Sequence, residues 1–216
     1  MFISFEGTEG SGKTTQIKEI YAAMRDKGYQ VILTREPGGT DISNQIRTIL
    51  LENLENKNMQ PRAELLLFCA SRAQLVGEVI RPYLENGGIV LCDRYADSTL
   101  AYQGYGHDLP VDDLKRILQF ATGGLYPDLT VYLDLSPEKG LERRRKGQLF
   151  GEDWNRLDDM ELSFHKRVYD GYQEIISSDK KRFLQINADG KPETVTQSIL
   201  DTLFPLLPPV NRSNSV

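Results

Sequence analysis

The stretch Gly7-Thr8-Glu9-Gly10-Ser11-Gly12-Lys13-Thr14 decides how the rest of the sequence is interpreted. It matches the pattern G-x-x-x-x-G-K-[ST], follows the apolar run FISFE at residues 2–6, and precedes helix-forming residues. Glycines let a backbone wrap closely around phosphate oxygens, and the N-terminus of the following helix adds positive partial charge. The motif therefore predicts a loop in which residues 7–14 bind ATP. Within it, Lys13 is expected to reach the β- and γ-phosphates, and the hydroxyl of Thr14 to help hold Mg²⁺.

Outward from this loop, short apolar runs alternate with longer amphipathic runs. Strands are predicted for FISFE (2–6), QVILTR (30–35), IVLCD (89–93), LTVYLDL (129–135) and RFLQINA (182–188). Helices are predicted at about 13–27, 42–52, 61–85, 111–121, 137–146 and 194–204. This alternation predicts an α/β protein with the P-loop NTPase fold, a five-stranded parallel sheet with helices on both faces. One domain is expected over residues 1–207, followed by a flexible tail at 208–216.

Composition excludes several classes of protein. The 216 residues carry a formal net charge of -5, whereas nucleic-acid binders usually present a basic surface. No run approaches the roughly 18 apolar residues of a membrane span, and the N-terminus lacks a signal-peptide pattern, so a cytoplasmic protein is expected. Cys69 and Cys92 lie in apolar contexts and are predicted to be buried and reduced. His107 and His165 are isolated, so no structural metal site is predicted.

Charged residues follow two of the predicted strands. Asp93 ends the third strand, where P-loop proteins place a carboxylate that helps to organise Mg²⁺, although it could instead cap the next segment. Arg94 follows it, and Arg35 closes the second strand. Since parallel strands deliver such residues to one edge of the sheet, these arginines are expected to meet near the loop. Either alone is typical of a protein surface, but together they favour a second phosphate site.

A basic run at Arg143–Lys146 leads into the loop GQLFGEDWNR. Such a run is usually a solvated helix face, yet beside a phosphate-binding loop it also fits a lid, at about 143–156, whose arginine neutralises charge in the transition state. The residues alone do not choose between these interpretations. A GTPase is disfavoured, because Asn56-Lys57-Asn58-Met59 fails the guanine motif N-K-x-D at its last position.

Several motifs occur in an order that resembles the thymidylate kinase family from residue 2 to about 204. They are FEGTEGSGKTT (5–15), TREPGGT (34–40), LLLFCASRAQ (65–74), DRYADSTLAYQG (93–104) and PDLTVYLDL (127–135). The resemblance implies a homodimeric enzyme that phosphorylates dTMP to dTDP with ATP and Mg²⁺. Two alternatives stay open, a kinase for another nucleoside monophosphate or for a deoxynucleoside, and a regulatory ATP-binding protein with slow hydrolysis.

The resemblance also implies roles for individual residues. Glu9 would bind the 3′-hydroxyl of the acceptor, Phe68 would stack on thymine, and Arg72 would donate to the base. Phe68 is equally consistent with plain core packing. The residues implied to hold dTMP are Glu9, Arg35, Phe68, Arg72, Arg94, Ser98, Thr99, Tyr102 and Gln103.

The catalytic arginine of the family lies either in the phosphate-binding loop or in the lid. Glycine at position 10 and arginines at 143–145 resemble the second arrangement, and Arg156 is a further candidate in the lid. The residues implied to be catalytic are Lys13, Asp93, Arg94, Arg143 and Arg145, with Thr14 and Asp93 as the metal ligands.

Overall fold

A parallel sheet forms the centre of the protein in a computed structural model, which describes residues 1–52, 58–149 and 156–210. In these ranges the sheet has five strands, in the order β2-β3-β1-β4-β5. The strands are β1 (Phe2–Glu6), β2 (Val31–Arg35), β3 (Ile89–Asp93), β4 (Leu129–Asp134) and β5 (Phe183–Asn187). All neighbouring pairs are parallel. The predicted sheet is confirmed, with strand bounds that differ from the prediction by one residue at most at either end.

Helices connect the strands. They are α1 (Lys13–Asp26), α2 (Asp41–Arg47), α3 (Pro61–Leu75), α4 (Arg81–Glu85), α5 (Ala96–Thr99), α6 (Val111–Thr122), α7 (Pro137–Leu149), α8 (Leu162–Ser178) and α9 (Pro192–Leu203). Short π-helical segments continue α2, α3 and α5, at Thr48–Glu52, Val76–Ile80 and Leu100–Gly106, and a 3₁₀ turn at Phe204–Leu206 follows α9. The long helix predicted at 61–85 is therefore α3, a π-helical segment and α4 in succession. The helices at 96–106 and at α8 had not been predicted.

Apolar side chains cover both faces of the sheet, because successive residues of a strand point to opposite sides. Ile3 and Phe5 pack in a cluster with α1 and α9. Phe2 and Cys92 pack on the other face, with α3 and α6. A further cluster joins α8 to Tyr132 of β4. Cys69 and Cys92 are free and buried, as predicted.

The carboxyl edge of the sheet positions the candidate site. Arg35 at the end of β2 pairs in register with Asp93 at the end of β3. Just beyond these strands, the backbone N–H of Arg94 donates to the carbonyl of Phe5 at 3.0 Å, and that of Glu36 donates to the carbonyl of Asp93 at 2.9 Å. The segments that follow β1, β2 and β3 therefore begin side by side.

Two predicted segments fall partly outside the described residues. Residues 150–155 of the predicted lid and residues 211–216 of the predicted tail belong to those parts. Within the ranges that the structure covers, no helix is long and apolar enough to cross a membrane.

Candidate active site

A cleft of about 1210 Å³ opens at the carboxyl edge of the sheet, and residues 9–16 of the phosphate-binding loop and α1 form one wall. The loop is closed by the hydroxyl of Ser11, which donates to the carbonyl of Thr8 at 2.8 Å. Gly10 has a positive φ of 71° and packs directly against the backbone of Gly140 in α7. A Cβ atom on Gly10 would overlap the carbonyl oxygen of Gly140, and one on Gly140 would overlap the carbonyl oxygen of Glu9. This contact therefore requires glycine at both positions.

Lys13 folds back over the loop. Its Nζ donates to the carbonyl oxygens of Gly7 and Thr8, at 2.9 and 2.8 Å. Burial, followed by repulsion from Arg94, lowers the pKa of Lys13 to about 8, although nearby carboxylates such as Glu9 offset part of this effect. The ammonium group also donates to the hydroxyl of Ser11 at 3.3 Å. It thus lies at the rim of the loop on neutral oxygen atoms, where phosphate oxygens would be stronger partners.

Thr14 and Asp93 meet at the predicted metal position. The hydroxyl of Thr14 donates to Oδ2 of Asp93 at 2.7 Å. Hydroxyl and carboxylate oxygens suit Mg²⁺, which is bound by one or two protein groups together with substrate phosphates and water. In the part of the chain that the structure describes, no group of three or more His, Cys, Asp or Glu residues could form a metal cage. The donor set therefore fits Mg²⁺ carried by a nucleotide.

Arg94 is fixed beside the loop by several acceptors. It donates to Oε1 of Glu9 at 2.7 Å, to the hydroxyl of Tyr102 at 3.1 Å and to the hydroxyl of Ser98 at 3.2 Å. The hydroxyl of Tyr102 also donates to Glu9, at 2.8 Å. Burial opposes the charge of Glu9, but Arg94 and then Lys13 outweigh it and lower the pKa of Glu9 to about 2. The guanidinium of Arg94 and the carboxylate of Glu9 therefore hold each other in fixed positions.

Arg35 reaches the same cleft from the neighbouring strand. Its side chain is exposed and lines the cleft together with Arg94 and Asp93. The convergence predicted from the two strand ends is therefore present. Because an exposed guanidinium and a fixed one flank the phosphate-binding loop, the arrangement can accept a second anion beside the phosphates of ATP.

Glu6 is a buried carboxyl group that none of the sequence motifs singled out. It is inaccessible to solvent and accepts hydrogen bonds from the backbone N–H of Tyr95 at 2.7 Å, the hydroxyl of Ser98 at 2.6 Å and the hydroxyl of Tyr172 at 2.8 Å. It thus fixes the start of α5 and, through Ser98, the guanidinium of Arg94. A carboxylate at the end of the otherwise apolar run FISFE was the signal that could have revealed it.

Arg72 lies on α3 and is 1% exposed. Its guanidinium donates to Oε2 of Glu36 at 2.7 Å, to the hydroxyl of Thr99 at 3.0 Å and to the carbonyl of Tyr95 at 3.1 Å. Burial opposes its charge, yet the Glu36 carboxylate outweighs burial and raises the pKa of Arg72 above its ordinary value. Phe68, one turn earlier on α3, is half-buried and lines the same part of the cleft.

Gln103 completes the far end of the cleft, opposite the loop. Its Nε2 donates to Oε1 of Glu64 at 2.6 Å, and both side chains are buried. Glu64 also forms an ion pair with Arg156. Arg156 therefore contacts the elements around Gln103, and it does not belong to the residues that line the cleft.

The basic run on α7 presents its arginines differently. Arg143 lines the cleft and donates to the carbonyl of Ala188 at 3.0 Å. Arg144 also lines the cleft, and its guanidinium donates to both carboxylate oxygens of Asp158, at 3.0 and 2.7 Å. Arg145 is exposed and lies outside the cleft lining. The run is thus partly a solvated face and partly a wall of the cleft, and the catalytic role of its members stays a prediction.

The comparisons with known proteins agree with this geometry. A family model described as thymidylate kinase matches residues 5–199. The chain belongs to the thymidylate kinase family. A thymidylate kinase of Roseiflexus sp. (strain RS-1) is 50% identical over 224 residues, which cover 100% of this chain and 99% of that protein. One from Roseiflexus castenholzii is 49% identical, with coverages of 100% and 98%.

The fold of this thymidylate kinase is also similar to that of a solved structure. The crystal structure of thymidylate kinase from Ehrlichia chaffeensis superposes with a TM-score of 0.76 at 31% identity, covering 94% of this chain and 98% of that one. The predicted family, P-loop NTPase fold and reaction are confirmed: this enzyme phosphorylates dTMP with ATP. The two alternatives that the residues left open, a kinase for another acceptor and a regulatory protein, find no support among these relatives.

Proposed function

We propose that the cleft is the site where this enzyme transfers the γ-phosphoryl group of ATP to dTMP. The observation that carries the proposal is that one cleft joins the loop of Lys13, the Arg94–Glu9 pair and the Phe68–Arg72 face of α3. The loop offers an anion site, the pair lies next to it, and the α3 face offers an aromatic ring with a fixed cation. ATP phosphates, the monophosphate and the base each find a chemically matched partner in that order.

At the phosphate end, backbone N–H groups of residues 7–14 and Lys13 bind the phosphates of ATP. Thr14 and Asp93 hold Mg²⁺, which when bound neutralises phosphate charge. The residues proposed to act in phosphoryl transfer are Lys13, Asp93, Arg94, Arg143 and Arg145. Of the two lid arginines, Arg143 has the better position, because it already lines the cleft, whereas Arg145 points to solvent.

At the acceptor end, Arg35 and Arg94 bind the monophosphate and Glu9 binds the 3′-hydroxyl. Phe68 stacks on thymine, and the remaining residues proposed to line the base and sugar pocket are Arg72, Ser98, Thr99, Tyr102 and Gln103. The acceptor phosphate is already an anion at neutral pH, so no general base is required. The side chains need only align the two phosphates and neutralise the charge that develops between them.

A homodimer is proposed through one face of α3. Leu66 is 58% exposed, and the alanines at 63, 70 and 73 are exposed at the helical spacing that places them on the same face. Small residues around one large apolar side chain allow two helices to approach closely. If this is the interface, Leu66→Glu should shift the molar mass in light scattering from dimer to monomer. A molar mass already monomeric for the wild type would refute it.

We further propose that residues 1–207 form one nucleoside monophosphate kinase domain, and that the enzyme works in the cytoplasm at a step of dTTP synthesis. The direct test of the reaction is ADP release from ATP and Mg²⁺ with each nucleoside monophosphate offered separately. Strong stimulation by dTMP, with dTDP formed in equal amount, is expected. Stimulation by a different monophosphate would keep the kinase and refute the pocket assignment.

A further inference from the structure

Glu64 is a buried carboxylate with no role in the proposed chemistry. It lies on α3, is 1% exposed, accepts a hydrogen bond from Nε2 of Gln103 at 2.6 Å and pairs with Arg156. Its Oε1 is 3.3 Å from Nε2 of His107. Burial opposes the charge of Glu64, but His107 and Arg156 outweigh burial and lower its pKa below the ordinary value. Glu64 is therefore an ionised carboxylate, which accepts hydrogen bonds and donates none.

This acceptor fixes the orientation of the Gln103 side chain. An amide has a donor end and an acceptor end of nearly equal size, and only the NH₂ end can bind a carboxylate. The carbonyl oxygen of Gln103 must then point away from Glu64. Among the residues that the structure describes, none donates to this Oε1, and Gln103 lines the cleft while being only 1% exposed. A residue in the wall of the cleft thus carries a hydrogen-bond acceptor whose direction Glu64 determines.

The opposite pattern lies beside it. Arg72 lines the same part of the cleft with a guanidinium that Glu36 fixes in place, and a guanidinium carries donors only. Phe68 lies one helical turn from Arg72 and offers a surface for a flat ring. A base stacked there meets donors from Arg72 and an acceptor from Gln103. Thymine presents a carbonyl oxygen at C4 and an N–H at N3, whereas cytosine presents an amino group and a bare N3.

We propose that Glu64 is a specificity-determining residue of this enzyme: it orients Gln103 so that the amide carbonyl receives the N3–H of thymine, and so favours dTMP over dCMP. The inference rests on the proposed placement of the base between Phe68 and Gln103. Glu64 touches no substrate and acts through Gln103, so it is a positioning residue. Its effect belongs to the choice of base, separate from ATP binding.

The test is Glu64→Gln, with steady-state kinetics for dTMP and dCMP. An amide at position 64 accepts as well as donates, so the amide of Gln103 is free to turn and its acceptor is no longer assured. The ratio of kcat/KM for dTMP over dCMP should fall about 10- to 100-fold, the range set by one buried hydrogen bond. The fall should come from a higher KM for dTMP, with the KM for ATP unchanged. Arg182→Ala is the matched control, because it breaks another largely buried ion pair, with Asp97, and neither residue lines the cleft; its ratio should stay within about twofold of wild type.

A swap of the two side chains gives the sharper test. In Glu64→Gln combined with Gln103→Glu, the amide at position 64 donates to the carboxylate at 103, whose second oxygen again faces the base. In Gln103→Glu alone, two carboxylates face each other, and binding should fail. The double variant should therefore recover most of the preference for dTMP that Gln103→Glu loses, and this comparison decides the matter if Glu64→Gln alone does not fold.

An unchanged ratio in Glu64→Gln, or no recovery in the double variant, would overturn the inference. Wild-type protein that does not phosphorylate dTMP would instead refute the proposed function. A wild-type enzyme that prefers dTMP while every variant keeps that preference would leave the proposed function intact and remove Glu64 from base selection.

Discussion

The two ends of the cleft hold their polar side chains in different ways. At the end proposed to bind the base, Arg72 pairs with Glu36 and Gln103 donates to Glu64, and all four side chains are buried. At the end proposed to bind phosphates, Lys13 donates to two carbonyls and the Ser11 hydroxyl of its own loop, and the side chain of Arg143 remains 39% exposed. A base is recognised by a short-range pattern of donors and acceptors, which must be preformed. Phosphates are recognised by charge, which acts over longer distances and tolerates cations that move. Substitutions at the phosphate end should therefore change kcat, and those at the base end should change KM and stability together.

The largest effect is expected at the phosphate end from Lys13→Ala. Turnover should fall by at least about 10³-fold, because a charge that stabilises the transferring phosphoryl group is removed. The free energy of unfolding should not decrease, since burial disfavours the charge of Lys13 and no carboxylate in the described part of the chain forms an ion pair with it. Steady-state kinetics with a thermal melt measures both quantities. Near-normal turnover would refute the assignment of the loop.

Arg143→Ala tests the contribution of α7 at the end of the cleft proposed to bind phosphates. We expect kcat to fall about 10²- to 10³-fold with smaller changes in KM, the pattern of a charge needed in the transition state. Arg145→Ala, on the same helix but outside the cleft, should reduce kcat by much less. Equal losses would place both arginines in the reaction. A loss confined to nucleotide affinity would make α7 a clamp and not a contributor to catalysis.

Arg72→Ala tests the base end. The KM for dTMP should rise about 10- to 100-fold, and the free energy of unfolding should drop by about 3–5 kcal/mol, since Glu36 is left buried without its cation. Arg182→Ala is the matched control, because it breaks a second largely buried ion pair, with Asp97. It should also lower the stability, measured by urea unfolding, but leave the KM for dTMP unchanged. If both variants raised the KM equally, Arg72 would have no specific role at the base.

The smallest effect concerns pH. Lys13 has a pKa of about 8 in the free enzyme, below its ordinary value of 10.5. It is therefore charged below pH 8 and loses its attraction for phosphate above it, so kcat/KM for ATP should decline on the alkaline side. Bound phosphate favours the ammonium form, so kcat at saturating ATP should hold to higher pH. Lys13→Arg keeps the charge and should remove the alkaline decline of whatever activity it retains.

The lowered pKa of Lys13 also makes the stability of the fold depend on pH. Because folding lowers the pKa of Lys13, the unfolded chain holds this proton more tightly, and its charge disfavours the folded state below pH 8. That penalty should lessen as the pH rises from about 8 to 10.5. Comparing urea unfolding of wild type and Lys13→Met across this range would isolate the contribution, and a flat difference between the two would contradict it.

Most of the fold could be predicted from the sequence, because a sheet covered on both faces requires continuous apolar runs, and each predicted run became a strand. The helix α8 was missed although its pattern was available: Phe164, Val168, Tyr172 and Ile175 are buried at helical spacing. The segment 96–106 is different. It is buried on nearly all sides, so no amphipathic period marks it as a helix.

Of the candidate site, the sequence predicted the side chains that line the cleft but not the carboxylates that hold them in place. The loop, the strand-end arginines and the α3 motif are local patterns, and the structure brings them to one cleft. The carboxylates behind them are not local: Glu36 binds an arginine 36 residues away, and Glu64 binds a glutamine 39 residues away. No spacing rule connects such partners before the chain is folded, so the residues that fix the ligand-facing side chains remained hidden.

The contact between Gly10 and Gly140 restricts which side chains the phosphate-binding loop can carry. The other arrangement of the family needs an arginine in the phosphate-binding loop, but any side chain at position 10 would collide with the start of α7. An arginine at position 10 would therefore require α7, and with it Arg143, to move away from the loop. With α7 in its present place, the cleft has room for an arginine from this helix and none for a side chain at position 10.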